Sequence, residues 1–286
     1  MKIAISGASG FVGRNICTLL KKFNSYQIIP LDISDGIDLS DRTQCEDIEP
    51  FNVFIHLANL AYVPASYDNP EFFYRTNYLT TLNALELCRK YNAKFIYVSS
   101  YVYGPPQYLP VDESHLVVAF NPYAQTKVIC ESLCEGYHRD FKIPVIVLRP
   151  FNIYGVGQGG NLLIPEIIQQ LKEGKTTVHL KDASPKRDYI NVSDIACALK
   201  ACADCNNVTY RTYNLCSGKS YSVLELTDIV NSILTKKVVF EFSKTDRPNE
   251  VNDARGANMK ISDELGWKPK TDLLEGMSEI IKYENL

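Results

Sequence analysis

The stretch Lys2-Ile-Ala-Ile-Ser-Gly7-Ala-Ser-Gly10-Phe-Val-Gly13-Arg-Asn-Ile-Cys-Thr-Leu-Leu-Lys21 decides how the rest of the chain is read. An apolar run, Lys2–Ser6, meets three glycines spaced G-x-x-G-x-x-G, and residues with helical period follow. The order is strand, glycine turn, helix. Glycine accepts positive φ and lets the backbone come close to a ligand. A helix that begins at such a turn aims free N–H groups and the positive end of its dipole into it, which suits a pyrophosphate. The candidate cradle is Gly7, Ser9, Gly10, Phe11, Val12 and Gly13. Turns of this kind also occur without a ligand, so the remainder of the chain has to decide.

Further strands are expected at Gln27–Leu31, Val53–Leu57, Lys94–Ser99 and Val145–Arg149, with helices between them over Val12–Phe23, Glu71–Tyr91 and Pro122–Phe141. The strands are continuous apolar runs, as in strands buried on both faces. Strand–helix alternation implies right-handed crossovers and a doubly wound parallel sheet of Rossmann type. After Arg149-Pro-Phe-Asn152 the pattern changes to a glycine-rich loop, a helix over Leu162–Lys172 and a polar segment. Tyr189–Val192, Ile195–Ala203 and Tyr213–Cys216 then resume the strand–helix–strand order, and two helical patterns occupy the tail. The organisation expected is a dinucleotide-binding domain over 1–151, rejoined at about 188–217, with 152–187 and 218–286 forming a smaller interleaved substrate lobe.

Composition narrows the function. At 286 residues, 45% hydrophobic and 22% charged, the chain reads as an ordinary globular protein. A net charge of −3 gives no electrostatic case for nucleic acid or an anionic membrane. No apolar run is long enough to span a bilayer, and the N-terminus opens on a strand rather than a signal-peptide pattern. Nine scattered cysteines fit reduced thiols in a cytoplasmic protein. Cys202-Ala-Asp-Cys205 lacks a second ligand pair and the four histidines have no ligand spacing, so no metal site is expected.

The second strand ends at Asp32, nineteen positions beyond Gly13. A carboxylate there can accept hydrogen bonds from the adenosine ribose hydroxyls and would repel a 2′-phosphate, favouring NAD over NADP. Asp38-Leu39 can reach the adenine. Tyr123 and Lys127 stand four apart on a helix and share a face. The lysine charge, with a positive nicotinamide nearby, would lower the tyrosine pKa and fit it for acid–base work on a sugar hydroxyl. The strand Phe95–Ser100 ends in two hydroxyls, and one of them can bond the reacting oxygen. Counting from the strand selects Ser100, and counting back from Val102-Tyr-Gly104 selects Ser99.

With these motifs in order, the chain resembles the extended short-chain dehydrogenase/reductase family, and within it the nucleotide-sugar epimerases and dehydratases. His56-Leu-Ala-Asn59, Asn77, Arg149-Pro-Phe-Asn-Ile-Tyr-Gly155, Lys186-Arg-Asp-Tyr-Ile-Asn-Val192, Tyr213-Asn-Leu-Cys-Ser-Gly218, Arg247-Pro-Asn-Glu-Val251 and Leu265-Gly-Trp-Lys-Pro269 carry the likeness. The resemblance implies cofactor contacts from Leu57, Ala58, Asn59, Asn77 and Phe151, together with Tyr123 and Lys127. It also implies substrate contacts from Asn152, Arg187 and Arg247. It implies NAD as cofactor, a nucleotide-sugar substrate and a homodimer built on the two long helices. The place where relatives that are 4,6-dehydratases carry an Asp-Glu pair holds Ser100-Tyr101, which disfavours dehydration. The expectation is therefore a 4-epimerase working through a transient 4-keto sugar. A 4-keto-sugar reductase is the alternative, ahead of a dehydratase or a non-catalytic dinucleotide binder.

Overall fold

The computed structural model describes residues 1–206, 209–243 and 251–286. The first half runs β1 (Lys2–Ser6), α1 (Phe11–Leu20), β2 (Gln27–Leu31), β3 (Val53–His56), α2 (Val63–Asp68), α3 (Pro70–Tyr91), β4 (Lys94–Val98), α4 (Pro122–Phe141) and β5 (Val145–Pro150). The second half runs β6 (Asn152–Tyr154), α5 (Leu163–Lys172), β7 (Thr177–Leu180), β8 (Lys186–Asn191), α6 (Val192–Asp204), β9 (Tyr210–Leu215), β10 (Ser220–Ser222), α7 (Val223–Ile233), β11 (Val239–Phe242), β12 (Asp253–Ala254), α8 (Met259–Leu265) and α9 (Leu273–Tyr283).

Six strands form one parallel sheet in the order β2-β1-β3-β4-β5-β9. The period-2 alternation of strand side chains divides its residues between two cores. Ile3, Ile5, Ile55 and Ile96 face α1 and α6, whereas Ala4, Phe54, Phe95 and Tyr97 face α3 and α4. The order reverses between β1 and β3, so the crevice outside their carboxyl ends is the place where an open α/β sheet takes a ligand. The two long helices start where their sequences specify. Asn69 accepts from Phe72 N and Asn121 from Ala124 N, and each cap precedes a proline in the first turn.

The smaller lobe has its own core, drawn from α5, β7, α7 and α9, with Ile167, Val178, Leu226 and Met277 at its centre. Its sheet joins β6, β10 and β12 to β8. Strand β8 therefore belongs to the lobe, and the chain rejoins the main layers at α6 and β9 rather than from residue 188. Two short helices, α2 and α8, were not expected from periodicity. Each is under two turns, too short for a 3.6-residue repeat to register. Trp267 anchors the tail, donating to Asp194 O at 3.0 Å, while the Asp194 carboxylate accepts from Lys270 N and Thr271 N. The nine cysteines are free. Among the described residues no cluster could hold a metal, and no helix is long and apolar enough to cross a membrane.

A buried polar chain links the switch-point strands to both long helices. Ser6 Oγ accepts from Leu57 N and Ala58 N, so its own proton goes to His56 Nδ1 at 2.8 Å. His56 Nε2–H then donates to Thr81 Oγ1 at 3.2 Å, and Thr81 Oγ1 to Asn77 O at 2.8 Å. Burial, with the charge of Lys127 adding to it, pushes His56 down to about 3 from an ordinary 6.5. Between those values the unfolded chain binds the proton and the folded one does not. The stability His56 contributes is whole above pH 6.5 and falls as pH drops. Lowering the pH from about 7 to about 5 should cost the wild type about 2 kcal/mol more than it costs His56→Asn, measured by urea denaturation. Equal losses in the two proteins would contradict this.

Candidate active site

The glycine turn is held tight by its own backbone. Gly7 lies at φ +67° with its Cα against the strand-end segment after β3, and a Cβ there would fall 2.9 Å from Ala58 N. A Cβ on Gly13 would fall 2.1 Å from Gly7 O and 2.7 Å from Ala8 O. Gly10 N donates to Gly7 O at 3.0 Å, and Gly10 caps α1 with no side chain. The first turn of α1, containing Phe11 and Val12, carries no acidic residue, so the positive end of the helix is not offset by its own side chains. This is a cradle that fits the pyrophosphate of a dinucleotide.

Asp32 closes the turn from the side. Its Oδ2 accepts from Ser9 N at 3.0 Å, and its Oδ1 accepts from Ser34 N and Ser34 Oγ, each at 3.0 Å. Burial works to raise its pKa, but the bonds from Ser34 and Ser9 outweigh it and hold the carboxyl below the usual range. It is an anion at neutral pH, as a partner for ribose hydroxyls must be. Asp38 turns its Oδ1 to Ser40 N, and Leu39 is buried with its carbonyl held by Asn83. Leu57 and Ala58 leave β3 beside Gly7 with their N–H groups on Ser6. Asn59 follows them with both amide atoms buried and unpartnered by protein, a second feature that fits a bound cofactor. Asn77 does not face the crevice. It is fully buried, and its amide is spent on Leu60 N, Leu60 O and Thr126 Oγ1. It fixes Leu60, in the loop that follows Leu57–Asn59.

Tyr123 lies in the first turn of α4 and Lys127 one turn further, on one face. The Ser100 side chain lies close enough to the Tyr123 phenol to pull its pKa down. Ser99 lies behind, buried, with its N–H on Leu148 O at 2.7 Å and its Oγ unpartnered. The structure thus brings Ser100, not Ser99, onto the tyrosine. Lys127 is buried and donates to Val98 O, at the carboxyl end of β4, at 2.9 Å. Its Nζ lies 5.8 Å from the Tyr123 ring centroid. Burial pushes Lys127 down to about 8. Burial also raises Tyr123, with Ser100 pulling the other way. Without the nicotinamide, burial is the larger influence on Tyr123, and the Lys127 ammonium is engaged with a main-chain carbonyl.

On the lobe side, Asn152 donates to Asp188 O at 3.2 Å. Arg187 Nη1 donates to Lys186 O and to Val251 O at 2.6 Å, tying β8 to the segment that leads into β12. Arg247 lies outside the described residues. Phe151 is buried, its ring 5.1 Å from that of Tyr101 and pressed against Gly256, so it forms the floor under the serine turn. The residue that sequence reasoning underweighted is Asp188. Its carboxylate gathers Ser217 N at 2.7 Å, Ser217 Oγ at 2.6 Å, Gly218 N at 3.0 Å and Gly256 N at 3.2 Å. Its place between Arg187 and Tyr189 in a quoted motif was the available signal. Asp112 and Glu113, between the serine turn and α4, accept from Ser114 N and Asn214 N respectively.

Fold and site together are those of an extended short-chain dehydrogenase/reductase. The chain belongs to the NAD dependent epimerase/dehydratase family, which it matches over residues 3–216, and it is an NAD-dependent enzyme. UDP-glucose 4-epimerase of Bacillus subtilis (strain 168) is 30% identical over 331 residues, covering 100% of this chain and 97% of that protein. GDP-6-deoxy-D-mannose reductase of Pseudomonas aeruginosa is 29% identical over 294 residues, covering 98% and 96%. The solved structure of RMD from Pseudomonas aeruginosa complexed with NADPH superposes with a TM-score of 0.91 at 27% identity and covers 100% of both chains.

Proposed function

We propose that the chain is a nucleotide-sugar 4-epimerase in which Tyr123 is the acid–base residue. The observation that carries this is the placement of the Ser100 side chain by the Tyr123 phenol, with Lys127 buried one turn along and donating to the end of β4. In this reading Ser100 and Tyr123 both meet the C4 oxygen, and the phenolic oxygen takes the hydroxyl proton and later returns it. NAD, when bound, supplies a hydride acceptor and a positive ring that favours the tyrosinate. Lys127 holds the end of β4 and offers its charge to the cofactor ribose. The 4-keto sugar turns over between the crevice and the smaller lobe, where Asn152, Arg187 and Arg247 are the proposed contacts. Gly7–Gly13, Asp32 and Leu57–Asn59 are the proposed cofactor contacts.

The reductase reading keeps the same residues and runs the step once. The GDP-6-deoxy-D-mannose reductase likeness supports it. Asp32 weighs against it, since the carboxylate opposes the 2′-phosphate of NADPH.

One set of assays separates the readings. With UDP- or GDP-hexoses, the wild type should equilibrate the C4 epimers with no net change in NAD. Tyr123→Phe should lose about 10²–10⁴-fold in turnover with its NAD content intact. Ser100→Ala should impair turnover much more than Ser99→Ala. Net NADPH oxidation with a 4-keto sugar, and no epimerisation, would establish the reductase instead. Full activity in Tyr123→Phe would overturn both.

We also propose a homodimer through α3 and α4. Tyr74, Tyr78, Leu79 and Ile129 line a surface groove between the two helices, and Phe72 is exposed beside it. A two-fold axis there would cover this apolar face. Sedimentation should give twice the chain mass at micromolar concentration, and a monomer would refute the dimer.

A further inference from the structure

Behind Ser100 and Tyr123 runs a second buried polar network that the proposed chemistry does not use. Glu131 lies one turn beyond Lys127 on α4. Arg149 of β5 donates to it from Nε at 3.0 and 3.2 Å and from Nη2 at 2.5 Å. Arg149 Nη1 donates to Tyr103 Oη at 3.0 Å, and Tyr103 Oη donates to Asn214 Oδ1 of β9 at 2.6 Å. Asn214 Nδ2 donates to Val111 O at 3.0 Å. Val111 pairs with the smaller lobe, its N–H on Arg255 O and its carbonyl on Ala257 N, each at 2.8 Å. Gly256, between them, donates to Asp188 beside Arg187. Tyr103 and Asn214 are fully buried, and Arg149 and Glu131 nearly so.

The placement of this network is informative. Tyr103 stands three residues beyond Ser100 in the same turn, which Tyr101 closes by donating to Gly104 O at 2.7 Å. Glu131 stands two turns beyond Tyr123 on the same helix. The network therefore spans the two elements whose separation sets how Ser100 meets Tyr123, and its far end reaches the segment just after β12, the lobe strand that pairs with β8. As a stability device a buried ion pair is poor, because an apolar set of similar volume is often as stable. As a spacer it is strong, because every bond in it has one geometry.

We propose that Tyr103, held by Arg149 and Asn214, is a positioning residue that fixes the Ser100 turn against α4 and ties that spacing to the seating of segment 255–257 of the smaller lobe. This rests on the reading of Ser100 and Tyr123 given above. The sugar nucleotide that seats the lobe thereby tightens the serine–tyrosine pair before reaction.

Tyr103→Phe tests this by removing one oxygen and keeping the ring. The control is Tyr137→Phe, which removes a hydroxyl bonded to Glu86 Oε1 at 2.7 Å on the same helix and away from the site. Tyr103→Phe should lose about ten-fold or more in kcat with little change in KM, since small misplacements are costly in a preorganised site. Its kcat–pH profile should also move to higher pH, because Ser100 is what pulls the Tyr123 pKa down. The control should keep both kcat and profile. If Tyr103→Phe matches the control in both, the proposal is wrong. If the wild type itself turns over no nucleotide sugar, the functional reading fails, and the positioning claim is then decided by hydrogen exchange. Exchange of peptide 99–104 should be faster in Tyr103→Phe than in wild type and control, and equal rates would overturn it.

Discussion

The carbonyl of Gly7 lies where a side chain at Gly13 would have to be. That contact seats α1 directly on the end of β1, and the geometry of the crevice follows from it. With the helix so close, its uncapped N-terminus points into the turn, Ser9 N reaches Asp32, and Gly7 comes within a Cβ of Ala58 N after β3. Any side chain at Gly13 would push α1 away and undo all three. The uncapped helix start facing the turn is therefore a packing consequence rather than a property of any charged residue.

Two polar chains hold the chemistry to that frame. The first runs from Ser6 through His56, Thr81 and Asn77 to Thr126, whose hydroxyl donates to Tyr123 O at 2.7 Å. It connects the strand that carries the glycine turn to the helix turn that carries the tyrosine. The second runs from Glu131 through Arg149 and Tyr103 to Asn214 and reaches the smaller lobe. The crevice and the smaller lobe are thus each tied to α4 by groups that are buried and matched donor to acceptor. Such satisfied networks favour a single arrangement over a family of near ones.

Much of this was legible in the sequence. The inner strands β1, β3, β4 and β5 are short and apolar on both faces, so each could be read from a continuous run, and caps such as Asn121-Pro122 mark the helix starts. Ser100, Tyr123 and Lys127 could be named because their spacing has chemical meaning. The smaller lobe was less legible. Its strands are two to six residues long and pair in an order that only the tertiary structure sets, so the pairing of β8 with β6, β10 and β12 is not readable from its sequence. Asn77, inside α3, looks the same in sequence whether its amide faces a ligand or a loop. Asp188 and Tyr103 were passed over for a related reason. Each acts by gathering partners from distant segments, and no local pattern records those partners.

The central claim is that hydride leaves C4 of the sugar and returns to the same carbon from the cofactor held beside Tyr123. A nucleotide hexose deuterated at C4, incubated with the NAD-loaded enzyme in ordinary water, tests it most directly. The account predicts that the C4 epimer formed retains its deuterium, seen by proton NMR as the continued absence of the C4 signal. An epimer carrying solvent hydrogen at C4 would contradict it.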